Sequence, residues 1–360
     1  MTSLRIVACG PLTSIQDAGR PGWSGIGLPT AGAMDQRALR VANALVGNVA
    51  DEAAIELVYA GLIVRAEGGS VELALAGGEA HVQIGGRLIA SNCSFVLADG
   101  ESVRIGALNR GVYAMLAIAG GIATQRVLGS RSLDARASIG GWNGRALQAG
   151  DLLPLRASSN TELSALVYRS RTAPAVSLSP DAPIRIVFGP QDDAFTERGL
   201  QTLIGRPFTV SSAVNRMAYR LEGPKIERRP GVEMISEGTL PGAIQVPPDG
   251  SPLVLMADRQ TVGGYPKIAT VISADLGRLA QRRPGEAVSF QAVSAEVARE
   301  IARQEQFREV AVGVAGADEI NQPELALWLF DNVADAVVDA SNEQSWDMPA
   351  DTVNWVGTRR

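Results

Sequence analysis

At 360 residues, 46% of them hydrophobic and 20% charged, the chain has room for two folded domains at roughly 100 to 200 residues each. A net charge of −5 argues against a general nucleic-acid binder, which needs a basic face, and two cysteines are too few for a disulfide framework or a Cys-x-x-Cys metal site. No run reaches the ~20 apolar residues of a membrane helix and the opening MTSLRIVACG lacks the apolar centre of a signal peptide, so the expectation is a cytoplasmic protein that engages no membrane.

The first notable passage is TSIQDAGR at residues 13–20, followed by glycines at 22, 25 and 27 and by AGAMD at 31–35. Gln16, Asp17, Arg20 and Asp35 supply an amide, two carboxylates and a guanidinium. Such a set suits either an amide or carboxylate ligand or a structural Asp-Arg pair that ties down a long loop. Residues 34–46, MDQRALRVANALV, carry apolar side chains at helical spacing and stop at Gly47-Asn48, which predicts a helix. Beyond it, short apolar runs at 71–76, 82–84, 94–97, 103–107 and 113–119 are bounded by Gly, Asp or Asn and read as strands. The one histidine, His81, falls in an alternating stretch where a structural role is expected, and no metal site is expected anywhere.

Residues 156–183 are rich in Ser, Ala, Thr and Pro and mark a boundary. Beyond it a strand at 184–188 delivers GPQDD, with Asn215 and Arg216 of SAVNRMAYR expected to face Gln191 and Asp192. A weak internal repeat relates the strand around Gln83 to that around Gln245, each followed later by a Gly-Glu turn at Gly100 or Gly285. The central stretch is MADRQTVGGYPK at 256–267, where an apolar run feeds into polar residues, a Gly263-Gly264 pair and Pro266. Glycine permits close approach of a ligand or another chain, so this loop can hold a carboxylate, an amide and an ammonium together. Lysine occurs only at Lys225 and Lys267 among 33 basic residues, so a lysine here points to a need for a compact charge. Residues 296–302 form an amphipathic helix, residues 324–340 are expected to form another, and the stretch between Arg308 and Arg359 carries carboxylates but neither lysine nor arginine.

Taken in order, SIQDAGR, AGAMD, ANALVGN, LAIAGGI, LGSRS, GPQDDAF, NRMAYRLEGP and DRQTVGGYPK resemble the family of the 5-oxoprolinase C subunit. It also includes the Kip-type antagonist of a sporulation-kinase inhibitor and the corresponding half of the urea carboxylase carboxyltransferase domain. The resemblance implies a mainly β fold with two cyclophilin-like β-barrel domains, at 1–160 and 184–295. A linker at 161–183 and a helical, acidic extension at 296–360 complete the expected division. It implies a hydrolase of a cyclic amide that works only with A and B subunits, with ATP shared by the complex. Alternatives are half of a biotin-dependent carboxyltransferase for urea or a related amide, or a regulatory protein that binds a B-type partner without catalysis. By motif position Asp258, Lys267 and Tyr265 are the catalytic candidates, and Arg20, Asp35, Asn43, Arg216 and Gln260 the substrate-binding ones. Two departures from the family pattern stand out: Val262 where a second threonine is usual, and Thr30-Ala31 where a serine precedes GAMD.

Overall fold

A computed structural model describes residues 2–157, 182–231 and 234–314. The helix expected over 324–340, the acidic stretch beyond 314 and all but the last two residues of the 161–183 linker lie outside the described residues.

The fold is mainly β. Strands from Ser3–Cys9 to Leu152–Pro154 build a nine-stranded sheet, and strands from Ile184–Phe188 to Phe290–Ala292 build an eight-stranded one. Four α-helices accompany them among the described residues: α1 (Gln36–Leu45), α2 (Glu197–Gly205), α3 (Ser273–Ala280) and α4 (Ala295–Val314). No helix among the described residues is long and apolar enough to cross a membrane.

The expected strands at 71–76 and 82–84 are one strand, Val71–Ile84, and those at 103–107 and 113–119 join into Ser102–Ile118. The glycines between them do not end the strands. Gly77 takes φ +106° at the first of three register shifts between the two strands, and its hydrogen faces Tyr113 O, where a Cβ would come within 2.9 Å. A bulge of this kind bends a strand without breaking its ladder, so the pair curls across the sheet.

Helix α1 begins where sequence spacing placed it, because Asp35 Oδ1 accepts the Ala38 N–H at 3.0 Å and caps its first turn. Its buried face of Ala38, Leu39, Val41, Ala42 and Leu45 lies on Ala74, Ala76, Met115 and Ala117 of the long strands. Alanines on both sides let the helix sit close to the sheet. Helix α4 lies against α1, with Arg37 and Glu305 3.4 Å apart.

The eight-stranded sheet nearly closes on itself. Its end strands, Ala287–Val288 and Phe290–Ala292, are separated by a single residue, and the latter runs parallel to Ile184–Phe188. Both sheets belong to one compact unit, residues 1–314. Met34, Val58, Val112 and Tyr113 of the first half join Ile244, Val254, Ile268 and others of the second in one apolar core.

Gln281, just past α3, fastens the two sheets. Its Oε1 accepts from the Val112 and Tyr113 N–H groups at 2.8 and 3.1 Å, and its Nε2 donates to Tyr113 O and Asp35 Oδ2, both at 2.8 Å. A primary amide has two donor hydrogens and two acceptor lone pairs, so this buried side chain is fully used.

Candidate functional site

The TSIQDAGR segment is folded by Asp17. Its carboxylate accepts from Gly19 N, Ser130 Oγ, Arg131 N and Ser132 Oγ, which binds the segment to the GSRS loop at 129–132. Of the two sequence readings, the structural one describes Asp17, although its partners are hydroxyls and amides rather than Arg20. Arg20 itself is buried at 1% exposure and donates from Nη2 to Ser132 O. Its Nε and Nη1 have no hydrogen-bond partner among the described residues. Burial holds its pKa below the ordinary arginine value, opposed by the charges of Asp134, Asp17 and Asp258. Gly140 is required beside it, because at φ +68° a Cβ would collide with Ser132 O and press on the guanidinium.

A second group of residues joins the halves. Arg216, which the sequence placed opposite Gln191 and Asp192, instead donates to Glu56 of the first sheet. It also makes a two-pronged bond to Asp258 at 2.7 and 2.9 Å and reaches Gly32 O at 2.6 Å. Asn215 Oδ1 accepts the Met217 and Ala218 N–H groups, which fixes the tight turn that carries Arg216. Glu56 is fully buried, and its other oxygen accepts the Met34 N–H at 2.7 Å. Burial raises its pKa and Arg216 opposes the rise. Burial alone would lower the pKa of Arg216, but Glu56 and Asp258 hold it above the ordinary value. The glycine-rich segment at 22–35 and the loop at 256–267 therefore meet at one guanidinium.

The third group lies further along the same loop. Lys267 is 4% exposed and pairs through Nζ with Glu237, which also accepts from Gln191 Nε2. Gln191 Oε1 in turn accepts the Lys267 N–H at 3.1 Å. The buried Gln245 receives Gln260 Nε2 at 3.5 Å and donates to Tyr265 O at 3.4 Å. Gly263 has no room for a side chain because Gln245 Nε2 occupies the space a Cβ would take. Tyr265 is 44% exposed, at the open side of the group. Arg259 is buried at 2% exposure, touches only Thr239 O through Nε and Nη2, and leaves Nη1 without a partner among the described residues. Burial lowers its pKa.

The candidates thus divide. Asp258 and Arg216 share the joint between the sheets, and Arg20 feels the Asp258 charge. Lys267, Gln260 and Tyr265 share the second part of the loop. Asp35 caps α1 and receives Gln281, while Asn43 holds the turn after α1 by donating to Ala50 O and Glu52 O and accepting from Asn48. Sequence reasoning missed Glu237, Glu56 and Arg259 as members of these groups. Glu56 had a signal, as the one charge within the apolar run AAIELV at 53–58; Glu237 had none. His81 stands on the exposed side of its strand. Among the described residues no group of three or more His, Cys, Asp or Glu side chains is arranged to hold a metal ion.

Two sheets that share one apolar core, with the loop at 256–267 reaching the residues that join them, make a protein of the carboxyltransferase fold. The chain belongs to the carboxyltransferase domain family, subdomain A and B, whose model matches residues 26–292. It is 36% identical over 310 residues to the 5-oxoprolinase C subunit of Escherichia coli (strain K12), covering 85% of this chain and 96% of that protein. It is 32% identical over 321 residues to urea amidolyase of Lachancea kluyveri, covering 83% of this chain and 17% of that one. Among solved structures, TTHA0988 superposes with a TM-score of 0.72 at 35% identity, over 81% of this chain and 55% of that one. The Kluyveromyces lactis urea carboxylase superposes with a TM-score of 0.78 at 28% identity, over 89% of this chain and 30% of that one. The chain therefore spans about half of the first structure and under a third of the second.

Proposed function

We propose that the chain is one subunit of an ATP-dependent 5-oxoprolinase that opens 5-oxoproline to glutamate together with A-type and B-type subunits in the cytoplasm. The observation that carries this reading is the likeness to the 5-oxoprolinase C subunit across 96% of that relative's length. The loop at 256–267 supports it chemically. The Gln260 carboxamide is suited to a cyclic amide, and the Arg259 guanidinium supplies a positive field for the anionic charge that develops as the ring opens, while the Lys267–Glu237 pair holds the loop in place. Tyr265 stands at the entrance with its hydroxyl available to the ring. Asp258, fixed by Arg216, orients rather than attacks. Arg20, Asp35 and Asn43 act by holding the segments that frame the site.

The residues around Lys267 do not fit a triphosphate: the ammonium is neutralised by Glu237 and Arg259 is enclosed by the chain. Activation by ATP is accordingly not placed at this loop. A second reading is favoured by the family match itself: half of a biotin-dependent carboxyltransferase acting on urea or a related amide.

Coexpression with candidate A and B chains, assayed with 5-oxoproline and ATP, separates these readings. Glutamate should appear only when all three chains are present, and the isolated chain should release none. Carboxyl transfer to urea in place of glutamate release would support the second reading. Tight binding to the B chain with no turnover of either substrate would leave a regulatory protein.

A further inference from the structure

Beside α2 lies a cleft of about 570 Å³ lined by Arg198, Thr202, Arg206, Pro224, Lys225 and Glu227. Its volume falls within the range of small-molecule sites. One wall is α2 and the other is the segment after strand Ala218–Glu222. The walls are held in place: Thr196 N donates to Glu227 O at 3.2 Å, Ile226 N donates to Gly250 O at 2.9 Å, and Gly199 is required because a Cβ would strike Glu227 O.

Three cations and one carboxylate line this cleft in a chain whose net charge is −5. That carboxylate accepts from Thr196 Oγ1 at 3.2 Å, and Lys225 Nζ donates to Ser251 Oγ at 2.8 Å. Neither Arg198 nor Arg206 makes an ion pair among the described residues. Arg198 also occupies the first turn of α2, where the helix dipole disfavours a positive charge. A residue that breaks a local rule without a structural gain points to a role outside the fold. Arg198 lies in the first turn of α2 and Arg206 just past its last residue, and Lys225, one of the two lysines, stands on the opposite wall. Charges so spread match several anionic groups rather than one.

We propose that this cleft binds a small polyanion carrying two or more phosphate groups. The assignment is independent of the 5-oxoprolinase reading, since the lining residues are distinct from the loop at 256–267. Calorimetric titration of the purified chain with sodium tripolyphosphate should show saturable one-site binding that weakens with added salt. Arg198→Gln with Arg206→Gln should lower the affinity about tenfold or more, the loss expected for charged hydrogen bonds, with an unchanged melting temperature. Lys225→Gln gives the same readout should the double variant fold poorly. Tighter binding of ATP than of tripolyphosphate would assign the ligand to a nucleotide, and equal affinity to inorganic polyphosphate. Absence of saturable binding, an affinity untouched by the variants, or tighter binding of a glutamate-rich peptide would overturn the proposal.

Discussion

Arg259 is a buried cation that no carboxylate among the described residues pairs with, an arrangement that costs stability unless the charge has a use. Arg259→Met, which fits the same volume without the charge, is therefore expected to leave the melting temperature unchanged or raised while lowering complex-dependent turnover at least about tenfold. Lower stability with normal turnover would make Arg259 a packing residue. Lys267 is different because its charge is already paired. On the sequence alone an exchange to arginine would cost little stability, as on any solvated loop. With Lys267 4% exposed, the wider guanidinium must displace Gln191 or Glu237, and overpacking of that kind costs about 1 to 3 kcal/mol. Denaturant unfolding of Lys267→Arg should show that loss alongside reduced turnover; an unchanged midpoint would mean the side chain can swing to solvent.

Helix α3 is anchored at its first turn by Asp275, which is fully buried and accepts from Arg185 N, Nε and Nη2 at 2.7 to 2.9 Å and from Arg278 at 3.0 Å. Burial alone would raise the pKa of Asp275, but the Arg185 and Arg278 bonds hold it below the ordinary value of 3.8. A depressed carboxylate contributes stability above its unfolded pKa and loses it as pH falls through the folded one. Asp275→Asn should thus destabilise the chain by about 3 kcal/mol near neutral pH, and the gap from the parent should close as pH drops below 3.8. A gap constant with pH would refute the assignment. The mainly β character and α1 were legible in the sequence, because Asp35 caps a run with clear helical spacing. Helices α2 and α3 were not, since nine and eight residues with internal glycines give too little periodicity. The long strands were misjudged as pairs because a glycine at a bulge reads like a glycine at a turn. The loop at 256–267 stood out since its residues are adjacent, whereas Glu56, Glu237 and Gln281 arrive from distant segments and carry no mutual signal.

Across the molecule, the shared apolar core and Gln281 imply that the halves unfold together. Calorimetry of residues 1–314 should give one transition, and Gln281→Leu should lower stability by roughly 3 kcal/mol, because it strands buried N–H and C=O groups on the first sheet. Two separate transitions in the parent would contradict this. The near-closure of the second sheet has a consequence for synthesis. Its end strands sit on either side of Ser289, so the strand that meets Ile184–Phe188 is the last of the set to leave the ribosome. Until then Ile184–Phe188 and Phe208–Val214 both present raw edges, and a chain stalled before Ala287 would expose them to other nascent chains. Among the described residues the first sheet takes no strand from beyond Pro154 and can form earlier, which leaves the second as the step most in need of a chaperone.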